Sequence, residues 1–159
     1  MLPVRGGTGI NTAFMEMALA EAQKAFSEGE IPVGAIIVKN GRIIARAHNM
    51  REKKKSVLSH AECEAIRLAC ETLGDWRLDG CEMYVTLEPC MMCMGAIKNA
   101  RISELCFGAY DKKEGFCDSQ ITVSAFDGFC PQIYAGIKEE KCKRLLEKFF
   151  KEVRADRDR

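Results

Sequence analysis

Two short clusters, about thirty residues apart, constrain this chain more than any other feature: a fold that uses them must bring them together. The first is His60-Ala61-Glu62 and the second is Pro89-Cys90-Met91-Met92-Cys93. Together they offer one imidazole, two thiols and one free carboxylate. Cys90 and Cys93 stand three apart, which on a helix turns both sulfurs to the same side. One His and two Cys make three zinc ligands, one short of a closed tetrahedral structural site. The open position can take water, whose pKa zinc lowers toward neutrality. Glu62 is then placed to move protons, provided it does not itself ligate the ion. Both clusters read as helix starts, with His60 and Cys90 in the first turns, where partial positive charge favours the thiolate. The fold must therefore aim two helix N-termini at one edge of a sheet.

Each part alone has an ordinary reading. His60 could be a polar residue at a helix start, Cys90-x-x-Cys93 a redox pair, and Glu62 a carboxylate complementing the helix dipole. The other cysteines leave room for a closed Cys3His site, and His48 is the only other histidine.

The hydrophobic periodicity supplies such a fold. Met15, Leu19, Ala22 and Phe26 share one face of a helix over Thr12–Glu28, ended by Gly29. Val33–Val38 reads as a buried strand. Asn40-Gly41 is a tight turn, and Arg42–Ala47 is the returning strand of a hairpin. Arg51–Lys55 reads as a charged loop. A second helix covers His60–Leu73, with Ser59 as its N-cap and Gly74 as its stop. Strands follow at Met83–Leu87 and Glu104–Gly108, separated by a helix with Pro89 in its first turn that runs to about Ala100. Residues 109–132 carry little signal, and Ile133–Ala135 reads as a short fifth strand. Cys142, Leu145, Leu146, Phe149, Phe150 and Val153 form the apolar stripe of a last helix. Alternating strands and helices predict an α/β/α sandwich. The expected organisation is a flexible arm over residues 1–11 and a single domain over 12–159.

Composition bounds the rest. Hydrophobic residues make up 47 % of 159, a globular share. The net charge of +1 argues against indiscriminate coating of nucleic acid, but leaves room for a local basic patch. Candidates for such a patch are Lys53-Lys54-Lys55 and the terminal Lys141, Lys143, Arg144, Lys148, Lys151, Arg154, Arg157 and Arg159. No apolar run approaches the ~18 residues of a membrane helix, and residues 1–12 lack the apolar core of a secretory leader. Nine cysteines, an odd number with two in ligand positions, fit a reducing cytoplasm better than a disulfide scaffold. Cys63, Cys70, Cys81, Cys106, Cys117, Cys130 and Cys142 are then expected to be small buried hydrophobes.

These motifs resemble the bacterial tRNA-specific adenosine deaminases, within the zinc-dependent cytidine deaminase superfamily. The likeness runs from about Ala13 to Arg154. It is carried by Ile31-Pro32-Val33-Gly34-Ala35, His48-Asn49, Trp76-Arg77-Leu78, Tyr84-Val85-Thr86-Leu87-Glu88-Pro89-Cys90, Gly95-Ala96-Ile97, Arg101-Ile102, Phe107-Gly108-Ala109 and Lys148-Phe149-Phe150-Lys151. It implies a cytidine-deaminase-like α/β/α fold with a five-stranded mixed sheet and a homodimer. The implied reaction converts adenosine to inosine at the wobble position of a tRNA anticodon stem-loop. It also implies one Zn2+ per chain on His60, Cys90 and Cys93, with Glu62 as proton shuttle. Asn49 would hydrogen-bond the substrate, and Val33, Ala61 and Leu87 would line the base pocket. Val33 and Leu87 read equally well as plain strand core.

Three segments depart from the family pattern. Ser56-Val57-Leu58 stands where Asp-Pro-Thr is usual, Asp118-Ser119 where Gly-Ser is usual, and Phe129-Cys130-Pro131-Gln132 where Asn-His is usual. The metal and proton-transfer positions are untouched. Two other functions therefore stay open: deamination of a free nucleobase or nucleoside such as guanine or cytosine, and a non-catalytic zinc-stabilised binding module.

Overall fold

The computed structural model describes residues 9–117 and 128–159. The elements are α1 (Thr12–Ser27), β1 (Gly34–Lys39), β2 (Arg42–His48), α2 (Arg51–Lys54), α3 (Ala61–Leu73), β3 (Cys81–Leu87), α4 (Met91–Asn99), β4 (Glu104–Ala109), β5 (Gln132–Tyr134) and α5 (Glu139–Arg157). The strands form one mixed sheet in the order β2-β1-β3-β4-β5. β1 is antiparallel to β2 and β3, whereas β3, β4 and β5 run parallel.

Strand alternation divides the core between two faces. Ala35, Ile37, Met83, Val85, Leu105 and Phe107 face α3 and α4, where Ala61, Ala65, Ala69, Met94 and Ile97 meet them. Ile36, Val38, Tyr84 and Cys106 face the other way, onto Met15, Ala18 and Cys142 of α1 and α5. This is the three-layer sandwich expected from the sequence. Helices approach the sheet closely where side chains are small. A Cβ at Gly34 would collide with the backbone of Ala18 and Ala22, and one at Gly108 with Cys142 and the Thr86 carbonyl. Ala61, Ala65 and Ala69, at i, i+4 and i+8, do the same for α3.

Several boundaries differ from the sequence expectations. Residues 51–54 are helical. The Glu30 carboxylate accepts the Glu52 and Lys53 N–H groups at 3.2 and 2.7 Å, so a partner distant in sequence organises this turn. The N-cap of α3 is His60, not Ser59, and the N-cap of α4 is Cys90, so both ligand candidates lie just ahead of the first turn. Pro89 accordingly precedes the helix. Ser59 is buried and hydrogen-bonds the Glu64 side chain. β3 begins two residues earlier than expected, and β5 is shifted by one. Gly74 stops α3 in the left-handed conformation, as expected. Phe150 of the α5 stripe is exposed. Asn11 caps α1, its Oδ1 accepting Ala13 N–H at 3.0 Å. Residues 1–8 and Asp118-Ser119 lie outside the described residues.

Candidate active site

The parallel strands β3 and β4 end at the same edge of the sheet, and α3 and α4 begin there. This arrangement delivers the two N-caps to one point. His60 Nδ1 lies 3.7 Å from Cys90 Sγ and 3.6 Å from Cys93 Sγ. All three ligand atoms fall within 4.8 Å of one another. Donor atoms around a tetrahedral zinc stand about 3.5–3.8 Å apart, so the donor set fits that ion in identity and in spacing.

Of the three donors, the local electrostatics favour the metal-ready form at Cys90 and hold the proton on Cys93 and His60. The Cys90 thiol is pushed down to about 4, first by its hydrogen bond with Cys93 and, against the opposing effect of burial, by His60. Cys93 is driven the other way by its bonds with Cys63 and Cys90. His60 is raised, chiefly by its bond to Cys90. Glu62 is 4 % exposed, and its carboxyl is lifted to about 7, burial being the main cause. A carboxyl poised near neutrality suits a group that must both accept and return a proton.

A cleft of about 440 Å3 opens over this centre, lined by Ile31, Val33, Asn49, Arg51, His60, Ala61, Glu62, Leu87, Glu88, Cys90, Asp111 and Glu114. All four residues expected to meet substrate, Val33, Asn49, Ala61 and Leu87, are on that lining. Val33 also belongs to the core. The Asn49 side chain is fixed at both ends: Nδ2 donates to the Ile31 carbonyl at 3.2 Å, and Oδ1 accepts Arg51 N–H at 3.1 Å. One amide hydrogen and one oxygen lone pair remain for a ligand.

The sequence reading missed Cys63, Glu88 and the 111–114 turn. Cys63 Sγ lies 3.8 Å from Cys93 Sγ, and Cys63 is half-buried rather than a core hydrophobe. The signal was available, since Cys63 follows His60 by the same three-residue step that joins Cys90 to Cys93. Cys70 and Cys130 are likewise only half-buried, whereas Cys81, Cys106, Cys117 and Cys142 are buried; all nine thiols are free.

The basic candidates sort by partner. Lys53 pairs with Glu28 at 3.5 Å, Lys54 with Glu64 at 2.9 Å and Lys141 with Glu16 at 2.6 Å. Lys143 and Arg154 join Tyr110, Lys112 and Lys113 along a groove of about 620 Å3 that also carries Glu139 and Glu147. Tyr110 precedes Asp111 of the cleft, so one turn borders both concavities.

Comparison with known proteins agrees with this geometry. Residues 11–154 match the MafB19-like deaminase family. The tRNA-specific adenosine deaminase of Bacillus subtilis is 45 % identical over 143 residues, covering 89 % of each chain. That of Aquifex aeolicus is 46 % identical over 147 residues, covering 89 % of this chain and 94 % of its own. A solved structure from work on A-to-I editing by tRNA:A34 deaminases superposes with a TM-score of 0.83 at 43 % identity, covering 85 % of this chain and 99 % of that one. Guanine deaminase from Bacillus subtilis aligns less extensively, with a TM-score of 0.61 at 39 % identity over 64 % of this chain and 66 % of its own. On fold, site geometry and sequence together, the chain belongs to the family of tRNA-specific adenosine deaminases.

Proposed function

We propose that this protein hydrolyses adenosine to inosine at the wobble position of a tRNA anticodon stem-loop, releasing ammonia. The observation that carries this reading is the meeting of His60, Cys90 and Cys93 beside the buried Glu62 at one cleft. His60, Cys90 and Cys93 would hold one zinc ion. When bound, zinc supplies a Lewis acid that brings the pKa of water toward neutrality. Glu62 takes the proton released from the attacking water. It returns protons to the purine ring nitrogen and to the departing amine, so that a C–O bond forms as the C–N bond breaks. Val33, Ala61 and Leu87 hold the base in an apolar slot, and Asn49 orients it through its remaining donor and acceptor.

The basic groove beside Tyr110 supports an RNA substrate, because cations along a track position a phosphate backbone without reading bases. A second copy of the chain is the proposed occupant of the hollow of about 280 Å3 lined by Met91, Met94, Gly95, Lys98, Asn99 and Phe116. Met91 is 65 % exposed there while Met94 is spent on the core. A homodimer predicts twice the chain mass in sedimentation at micromolar concentration. A cytoplasmic location fits nine free thiols; among the described residues no helix is long and apolar enough to cross a membrane.

The deciding experiment measures inosine and ammonia from an adenosine-containing anticodon stem-loop beside a panel of free bases and nucleosides. Turnover of the stem-loop alone supports the proposal. Turnover of free guanine or cytosine, with none of any stem-loop, replaces the substrate and keeps the chemistry. No turnover of anything by zinc-loaded protein would leave a binding module.

A further inference from the structure

Glu88 has no part in the proposed chemistry, yet it is 2 % exposed and sits on the cleft lining. Its Oε1 accepts Asp111 N–H at 3.2 Å and its Oε2 accepts Cys117 N–H at 3.3 Å. Its own N–H donates to the Ala109 carbonyl at 2.8 Å. One residue thus grips the segment after β4 at both ends. Between those ends the segment is tied to the neighbours of Glu88: Phe116 N–H donates to the Pro89 carbonyl at 2.8 Å, and Gly115 bridges Cys90 in antiparallel fashion. Asp111 closes the turn from within, its Oδ1 accepting the N–H groups of Lys113 and Glu114 at 3.0 and 3.1 Å. A Cβ at Gly115 would strike the Asp111 carbonyl and the Glu88 carboxylate, so the backbone lies directly on Glu88.

We propose that Glu88 is a positioning residue. It clamps residues 110–117 into a wall of the substrate cleft and, through the Gly115–Cys90 bridge, fixes that wall relative to the metal-binding edge. The role rests on the reading of this cleft as the substrate site. The physical argument is one of acceptors. Two backbone N–H groups converge on one buried side chain, and a carboxylate is the side chain that offers an acceptor to each. A glutamine has the same shape but presents its NH2 to one of them, leaving a donor facing a donor.

The test uses Glu88→Gln and Gly115→Ala in the zinc-loaded protein. Both variants should fold with a cooperative melt and keep their zinc. Amide hydrogen exchange over 110–117 should accelerate about tenfold or more, with the rest of the sheet unchanged. On an anticodon stem-loop, KM should rise more than kcat falls, since Glu88 does not touch the reacting atoms. The double variant should be little worse than the more severe single, because both act on one contact. Unchanged exchange in both variants overturns the clamp. Faster exchange with unchanged KM overturns the positioning role and leaves a structural strap. A wild-type protein inert on every substrate overturns the reading of the cleft and the positioning role with it, while the exchange data still report on the clamp.

Discussion

The Cys63 sulfur lies 3.8 Å from the Cys93 sulfur, but among the described residues the mutually close ligand group contains only His60, Cys90 and Cys93. Cys63 therefore stands behind one ligand and not in the fourth coordination position. Cys63→Ser should keep about one zinc per chain, whereas Cys90→Ser or Cys93→Ser should lose most of it. Metal analysis after gel filtration reads this directly. Loss of zinc from the Cys63 variant would mean a closed four-ligand site, with no room for water.

Glu62→Gln should bind zinc and fold normally while losing turnover by at least ~10²-fold. The amide preserves the shape and removes the proton carrier. Single-turnover assays at saturating substrate separate this from weakened binding, and near-normal rates would remove Glu62 from the mechanism.

Glu30 is 2 % exposed and holds the first turn of α2, whose Arg51 N–H in turn bonds Asn49. Glu30→Ala strips two backbone N–H groups of their acceptor. Urea unfolding should show a loss of about 1–3 kcal/mol, accompanied by a higher KM as Asn49 loosens. A stability equal to wild type would show that α2 needs no buried partner.

Glu64 is held by Lys54 and Arg67 at 2.9 and 3.1 Å. Burial alone would raise its carboxyl, yet the bonds to Lys54, Ser59 and Arg67 hold it below the ordinary value of 4.5. A lowered folded pKa means stabilisation present above the unfolded value and lost as pH falls through the folded one. The stability gap between wild type and Glu64→Gln should thus be constant at neutral pH and close under acid conditions below the usual carboxylate range. A gap that persists there would assign the difference to packing.

Charge reversal at Lys143 or Arg154 should raise KM on a stem-loop more than it lowers kcat, and should flatten the fall of affinity with salt. The melting temperature and zinc content of the same variants should not move. A loss of either would argue that these side chains act on the fold.

The three candidate ligands, which the structure brings together, were legible because their evidence is local. Three-residue spacing and helix-start chemistry are written in consecutive residues, and the 3.6 and 2 periodicities carried most of the sheet and helices. What escaped depends on partners far along the chain. The four-residue α2 is too short for a periodic signal and is organised by Glu30 from 22 residues away. Ser59 looked like a cap by type, but its hydroxyl is engaged by Glu64 and the cap falls one residue later. The grip of Glu88 on Cys117 spans 29 residues, and nothing in the sequence of either segment announces it. The basic run at 53 and 54 was legible, but its carboxylate partners Glu28 and Glu64 were not.

Gly34 and Gly108 press α1 and α5 against the sheet on the face away from the candidate metal site. In a saturation mutagenesis screen these two positions would score as intolerant as His60 or Cys90, although neither touches substrate. Lowering the growth temperature, or overproducing the protein, should rescue some glycine replacements and none of the ligand replacements. Intolerance at a position of this chain is therefore an ambiguous signature of catalysis: what a screen marks as essential can be the closeness of a helix to a strand.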